Sequence, residues 1–303
     1  MTAVSPEVAN VYVRKKTGIR WSRVALHVFL FAMAVVWLFP LLYALYTSLR
    51  PYADTARLGY VSIGGAYNFD NFGKAFTDGQ LPSYFLNTLI VAVPAVFLTL
   101  LLASMAAFVL SRYSWRFNLL FLMIFTAGNL LPQQVIITPL FRMFLLLPLP
   151  SPTILSDNGL WYDQYFGVIA IHVAFQLGFC TFVLSNYMKT LPHEMVEAAV
   201  VDGASVFQVY RKVIMPLVRP AFAALVVLET TWVYNDFFWA LLLMKSGERM
   251  PITSALNSLK GNFFVDNNLI AAGAIIVALP TMIVFFAAQK QFISGLTLGG
   301  TKG

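Results

Sequence analysis

The chain reads as an all-α integral membrane protein with six transmembrane helices, and three observations carry that expectation. First, apolar residues fill 59% of the 303 positions and charged residues only 11%, with a mean hydropathy of +0.75. A soluble domain carries roughly 25% charged residues. Second, six stretches each supply the ~20 mostly apolar residues needed to cross ~30 Å of hydrocarbon; they lie at about 24–48, 84–110, 118–141, 166–188, 220–243 and 269–289. Lipid offers no partner for free backbone groups, so each stretch is expected to be helical. Third, the lysines and arginines fall unevenly on the two sides that six spans define.

In chain order, a tail at 1–23 with Arg14, Lys15, Lys16, Arg20 and Arg23 precedes an apolar run from Val24 to about Tyr46. That run exceeds the ~7–15 residues of a signal-peptide core and lacks a small-residue cleavage pattern, so it is expected to stay as span one. Pro40, Pro94, Pro132 and Pro280 fall inside spans, where proline kinks a helix rather than ending it. Pro139, Pro148, Pro150 and Pro152 break up the apolar Phe144–Leu149 run beyond span three. The membrane domain occupies 24–289, and a second tail follows at 290–303. Thirteen of the Lys and Arg residues lie on the side of the two tails and the loops at 111–117 and 189–219, against seven opposite. The positive-inside rule therefore places both termini and the 189–219 loop in the cytoplasm. The outer loops, 50–83 and 142–165, are rich in Gly, Pro, Asn, Asp and aromatics, and Trp161, Tyr162, Tyr165 and Phe166 fit an interfacial belt.

Composition also excludes functions. The net charge of +7 comes from basic residues scattered at span edges, which points to topology and not to nucleic acid. The single cysteine, Cys180, lies in an apolar segment, so a disulfide framework or thiolate metal site within one chain is ruled out. His27, His172 and His193 are too dispersed for a metal site, and His172 reads as a satisfied core residue. No phosphate loop or Gly-rich nucleotide fingerprint occurs, and no catalytic constellation can be assembled.

The most distinctive segment is the polar island at 190–219, expected to be a helical hairpin. Pro192 suits a first turn, with Glu194 and Glu197 near the positive end of the dipole. Gly203 can take the left-handed conformation that ends the first helix. Ser205 with Gln208 forms a capping box for the second, whose apolar face would be Val206, Val209, Tyr210, Val213 and Ile214 and which Pro216 should stop. From the residues alone this is either an amphipathic hairpin on the membrane surface or a docking surface for another protein.

The island carries a further pattern: Glu197-Ala198-Ala199, three residues, Gly203, nine residues, Val213, then Met215-Pro216. It resembles the EAA signature of permease subunits of ABC importers, with Val213 and Met215 in place of the usual Ile and Leu. Three other segments are similar to the carbohydrate-uptake, maltose-permease-G-like branch of that family: Arg50-Pro51, Trp232-Val233-Tyr234-Asn235-Asp236-Phe237, and the ending from Gln289 to Thr297 followed by Gly300-Thr301-Lys302-Gly303. The resemblance implies a type I ABC importer permease fold in a bacterial inner membrane, with the EAA loop as coupling helix. Its ATPase-facing residues would be Glu197, Ala198, Ala199, Asp202, Gly203 and Pro216. It implies as partners a homologous second permease subunit, two ATP-binding subunits and an extracytoplasmic solute-binding protein, with a sugar as cargo. No cofactor is expected on this chain, since ATP and Mg would sit in the ATPase subunits.

Charges at membrane depth are costly and point to function. Glu229 and Asp236 lie in span five, seven residues apart and so on one helical face, near Thr230, Trp232 and Asn235. Glu229, Trp232, Asn235 and Asp236 are the candidate translocation pathway, with Trp232 or Trp239 stacking on a sugar ring; helix packing is the alternative role for both carboxylates. Asn129, Gln133, Gln134 and Gln176 are weaker candidates, for which interhelical hydrogen bonds are the alternative. Uptake of another small polar solute remains open, as does ion-coupled secondary transport, for which Glu229 and Asp236 would be the only ion site.

Overall fold

A computed structural model describes residues 21–130, 132–150, 157–259 and 265–297. The expectations for Arg14 to Arg20 and for Gly300 to Gly303 lie outside these residues, and Asn129 has no described side chain. Among the described residues the secondary structure is helical, apart from an isolated antiparallel bridge between Pro148 and Leu160.

Four helices are long and apolar enough to cross a membrane alone: α1 (Trp21–Ser48), α4 (Leu81–Arg112), α7 (Tyr165–Lys189) and α14 (Asn267–Thr297). Each covers an expected span and overshoots it by a few residues. α4 and α7 form the centre and pack against each other, and small residues are frequent among their buried positions (Ala92, Ala95, Ala103 and Ala107 on α4; Gly167, Gly178 and Cys180 on α7), which suits close helix packing. α1 packs along α14 and leaves most of its apolar surface uncovered.

Spans three and five depart from expectation. The 118–141 stretch is two helices, α5 (Asn118–Leu130) and α6 (Gln133–Leu146), with axes inclined at 91°. Pro132 precedes α6 in an extended conformation, and α6 runs past residue 141 with Pro139 inside it. The 220–243 stretch is α11 (Arg219–Tyr234) and α12 (Phe238–Leu243), separated at Asn235–Phe237. The cause is local. The Asp236 carboxylate accepts the Trp239 and Ala240 N–H groups, each at 3.3 Å, and so opens a new helix where the old one would have continued. By length and composition the described helices supply four spans, or up to six if α5 with α6, and the 206–217 segment with α11, each count as one bent span.

The 190–219 island is the hairpin its caps specify. α8 (Glu194–Val201) ends in a Schellman motif, with Ala204 N–H donating to the Ala199 carbonyl at 2.9 Å and Gly203 N–H to Val200 at 3.0 Å. Gly203 has φ +80°, the left-handed region its missing Cβ permits. Ser205 N–H donates to Gln208 Oε1 at 2.8 Å, and the reciprocal Gln208 N–H to Ser205 Oγ completes the capping box. The second limb runs from α9 (Val206–Gln208) through a π-helical segment, Val209–Ile214, into α10 (Met215–Leu217). Pro216 does not stop this limb; it sits in the first turn of α10, where a missing N–H costs little. The chain turns only after Leu217, and the limb and α11 differ in direction by 77°. Val209, Tyr210 and Ile214 are buried as expected, whereas Val206 is exposed.

Two polar knots fix the loops. Arg50, 1% exposed, donates to the Gly59, Tyr60 and Gly64 carbonyls and to Ser62 Oγ. The Arg50 carbonyl accepts from the Asn71 and Asn268 amides at 2.8 and 2.9 Å, tying the end of α1 to α3 (Asp70–Asp78) and α14. At the same end of the molecule, Asn87 of α4 donates to the Glu248 and Met250 carbonyls and accepts the Tyr165 hydroxyl.

Candidate functional site: a broken-helix cavity and an exposed hairpin

The break in span five opens a cavity of about 620 Å³ between α6, α7, α11 and α12. Asn235 and Asp236 face it from the break, Trp232 from the last turn of α11, Gln133 from α6, and His172 and Gln176 from α7. Trp232 is 42% exposed and lies 5.3 Å from the Phe179 ring, while Trp239 is buried against Phe175 at 5.1 Å. Aromatic faces beside amide and carboxylate groups are the chemistry that holds a polyol: rings cover its C–H faces and polar groups take its hydroxyls.

Three of the four pathway candidates meet here, and Glu229 does not. The single helical face assumed for Glu229 and Asp236 ends at Tyr234. Glu229 is 0% exposed, turned into the α7–α11 contact, where Oε1 accepts the Cys180 Sγ–H at 3.1 Å and Oε2 has no partner among the described residues. His172 is also more than a core residue. Its Nε2 lies 3.5 Å from Asp236 Oδ2 without a hydrogen bond among the described residues, so α7 and the broken span meet at a close histidine–carboxylate contact. Sequence spacing cannot show that pair, because the partners are brought together by helix packing. Of the weaker candidates, Gln133 and Gln176 line the cavity, and Gln134 is exposed.

One end of the cavity wall is held by Asp163, which has φ +62°. Its carboxylate accepts the Lys245 and Ser246 N–H groups at 2.8 and 2.9 Å and the Ser246 hydroxyl at 2.5 Å, clasping the start of α7 to the chain after α12. Arg249 donates to the Asp163 carbonyl and Gln164 Oε1 and pairs with Asp157. Burial works against ionisation of Asp163, but the Ser246 hydroxyl, the two backbone donors and the Arg249 charge prevail and hold its carboxyl below the usual range.

At the opposite end the hairpin stands proud of the bundle. Tyr210 anchors it, its hydroxyl 2.8 Å from Ser104 Oγ of α4 and its ring 5.5 Å from Phe108. Arg112 steadies its base by donating to the Met188 and Leu191 carbonyls. Of the six coupling candidates, Glu197, Ala198, Asp202, Gly203 and Pro216 are exposed and Ala199 is half-buried against the second limb. Around them lies an apolar tip of Val200, Val201 (87% exposed), Val206 and Phe207 (59% exposed); the sequence pattern places Val206 on the second helix's apolar face and misses the other three. Their exposure was legible only once the direction of the π-containing limb was known.

Comparison with known proteins places this architecture. Residues 99–297 match the family described as binding-protein-dependent transport system inner membrane component. The chain belongs to that family. It is a permease subunit of a binding-protein-dependent importer. The permease is 31% identical to a probable ABC transporter permease of Pyrococcus horikoshii, over 88% of this chain and 92% of the relative. It is 30% identical to the arabinooligosaccharides transport system permease of Bacillus subtilis, over 93% of this chain and 96% of the relative. A crystal structure of a bacterial ABC transporter that imports the acidic polysaccharide alginate superposes with a TM-score of 0.74 at 22% identity, covering 96% of this chain and 100% of that one. At that identity the likeness carries the ABC importer permease fold alone.

Proposed function

We propose that this permease forms half of the translocation pathway of a sugar importer in a bacterial inner membrane, with both termini in the cytoplasm, and is driven by ATPase subunits that dock on its hairpin. The observation that carries this is the hairpin itself: a doubly capped tip with exposed apolar and acidic groups, projecting from a membrane protein and anchored to its central helix by Tyr210 and Arg112. An unpartnered apolar tip in water is unfavourable, so a partner surface is its natural complement.

Glu197, Ala198, Ala199, Asp202 and Gly203 make the ATPase contact together with Val200, Val201 and Phe207, while Pro216 positions the bend beneath it. Two ATP-binding subunits hold ATP and Mg, a homologous permease closes the other half of the pathway, and an extracytoplasmic binding protein delivers the sugar. This chain carries no cofactor. Closure of the ATPases moves the hairpin. Through Tyr210–Ser104 and the Arg112 bonds, that motion reaches α4 and α7, whose other ends hold the Asp163 clasp and the His172–Asp236 pair. Trp232, Asn235 and Asp236 then meet the passing sugar, and Glu229 keeps α7 and α11 in register. The sugar as cargo is supported by the aromatic and amide lining of the cavity and by the arabinooligosaccharide permease among the relatives.

Glu197→Arg and Gly203→Val test the hairpin. Both variants should assemble in the membrane yet lose most coupling between ATP hydrolysis and uptake, at least ten-fold if the contact contributes about 1.4 kcal/mol. Normal uptake in both variants would falsify the coupling surface.

A further inference from the structure

A cavity of about 510 Å³ lies at the hairpin end, where the close of α4, the start of α5 and the close of α7 converge. Arg112, Lys189 and His193 form its basic wall, Ser111 and Asn118 add polar groups, and Leu119 and Leu122 give it an apolar floor. No Asp or Glu lines it. Arg112 donates only to neutral carbonyls, those of Met188 and Leu191. Among the described residues no carboxylate pairs with Arg112, Lys189 or His193. The cavity thus holds positive charge with no internal counter-charge.

Its apolar side does not close. From Leu119 the exposed face of α5 continues through Leu120, Met123 and Ile124, while Tyr113 and Trp115 are exposed beside the cavity mouth. An anionic group at the basic wall and a long apolar body along α5 together describe an amphiphile. We propose that this cavity seats the phosphate headgroup of an anionic phospholipid, with its acyl chains lying along α5. Basic pockets between transmembrane helices near the cytoplasmic face recognise such headgroups. A free phosphate would use the basic wall and leave the α5 face without a role. An acidic protein surface would likewise leave that face without a role. The placement in the cytoplasmic leaflet rests on the orientation proposed above. Because Arg112 also holds the Leu191 carbonyl just before α8, the headgroup charge bears directly on the base of the hairpin.

The test is lipid retention by the assembled importer, purified in mild detergent and exchanged into nanodiscs of phosphatidylcholine with increasing phosphatidylglycerol. Headgroup binding predicts that the complex enriches phosphatidylglycerol over the bulk, and that Lys189→Gln with His193→Gln lowers the enrichment roughly five-fold or more while Lys74→Gln, at the opposite end, leaves it unchanged. Equal retention of both lipids overturns the proposal. So does displacement of the bound lipid by millimolar inorganic phosphate, which would make the cavity a small-anion site. Loss of ATPase subunits in the double variant with no change in lipid would make the occupant a protein and likewise overturn it. Retention reads headgroup charge whichever leaflet holds it. Labelling of Ser114→Cys with an impermeant reagent in intact cells reads the leaflet, so failure of the orientation and failure of the headgroup site give different results.

Discussion

Glu229 shows how a single side chain divides packing from transport. A carboxyl group buried between α7 and α11, with one oxygen on Cys180 and the other without a partner among the described residues, gains little from the membrane and loses more if its partner is removed. Cys180→Ala should therefore lower the stability of the purified complex by about 1–3 kcal/mol, read as a fall in thermal midpoint, while uptake per assembled complex stays unchanged. A change of substrate preference in that variant would put Glu229 back in the pathway. Asp163 makes a pH prediction. Its carboxyl is held below the usual range by Ser246, backbone donors and Arg249. The native state therefore binds the proton less readily than the unfolded chain. Its contribution is full above the ordinary carboxyl value of about 3.9 and is lost as pH falls through the lower native value. Wild type should thus lose stability below about pH 4 more steeply than Asp163→Asn, with pH set in otherwise identical melts; parallel slopes would remove Asp163 from the clasp. Neither residue's role could be read from its neighbours, since Cys180 lies 49 positions from Glu229 and Ser246 lies 83 from Asp163.

At the scale of elements, what was legible followed the range of the forces involved. The turn of the hairpin was signalled because its determinants are local: Gly203 supplies the left-handed residue, and Ser205 and Gln208 cap each other three positions apart; the end of the second limb was not, since Pro216 sits inside it and Val206 is exposed. Hydropathy likewise located every long helix. It overlooked the break in span five because Phe237, Phe238 and Trp239 continue the apolar run, while the Asp236 side chain silently captures the next helix's N–H groups. Membrane-depth backbone irregularity persists where it lines a cavity, which is where this break lies. Asp236→Ala should remove the cap, cost about 1 kcal/mol and sharply reduce uptake, whereas Asp236→Asn keeps a capping oxygen and should retain most of it. If Asn is as damaging as Ala in a transport assay, the charge facing His172 matters more than the cap. Close approach sets another limit. A Cβ on Gly167 would run into the Trp161 carbonyl and crowd Phe144, so Gly167→Val should displace the start of α7 and weaken assembly, visible as reduced yield of folded complex.

On the proposed coupling, the whole molecule acts as a lever between two ends. Central helices α4 and α7 run from the hairpin anchor, at Tyr210 and Arg112, to the Asn87 and Asp163 contacts that hold the outer loops, and the polar cavity opens off α7 near that second end. Charge asymmetry in the sequence already favoured one orientation, and the absence of a phosphate loop already implied an outside engine. What composition could not supply was the route between engine and cargo, because it consists of contacts among elements. The central claim is that this permease moves solute only when ATP hydrolysis pushes on its hairpin. Reconstitution of the permease with its partner permease and ATPase subunits in proteoliposomes tests it most directly, with the loaded binding protein supplied on the side opposite ATP. The prediction is uptake of the sugar that needs both ATP and the binding protein and disappears in Glu197→Arg. Uptake by this chain alone, driven by an ion gradient without ATP, would contradict it.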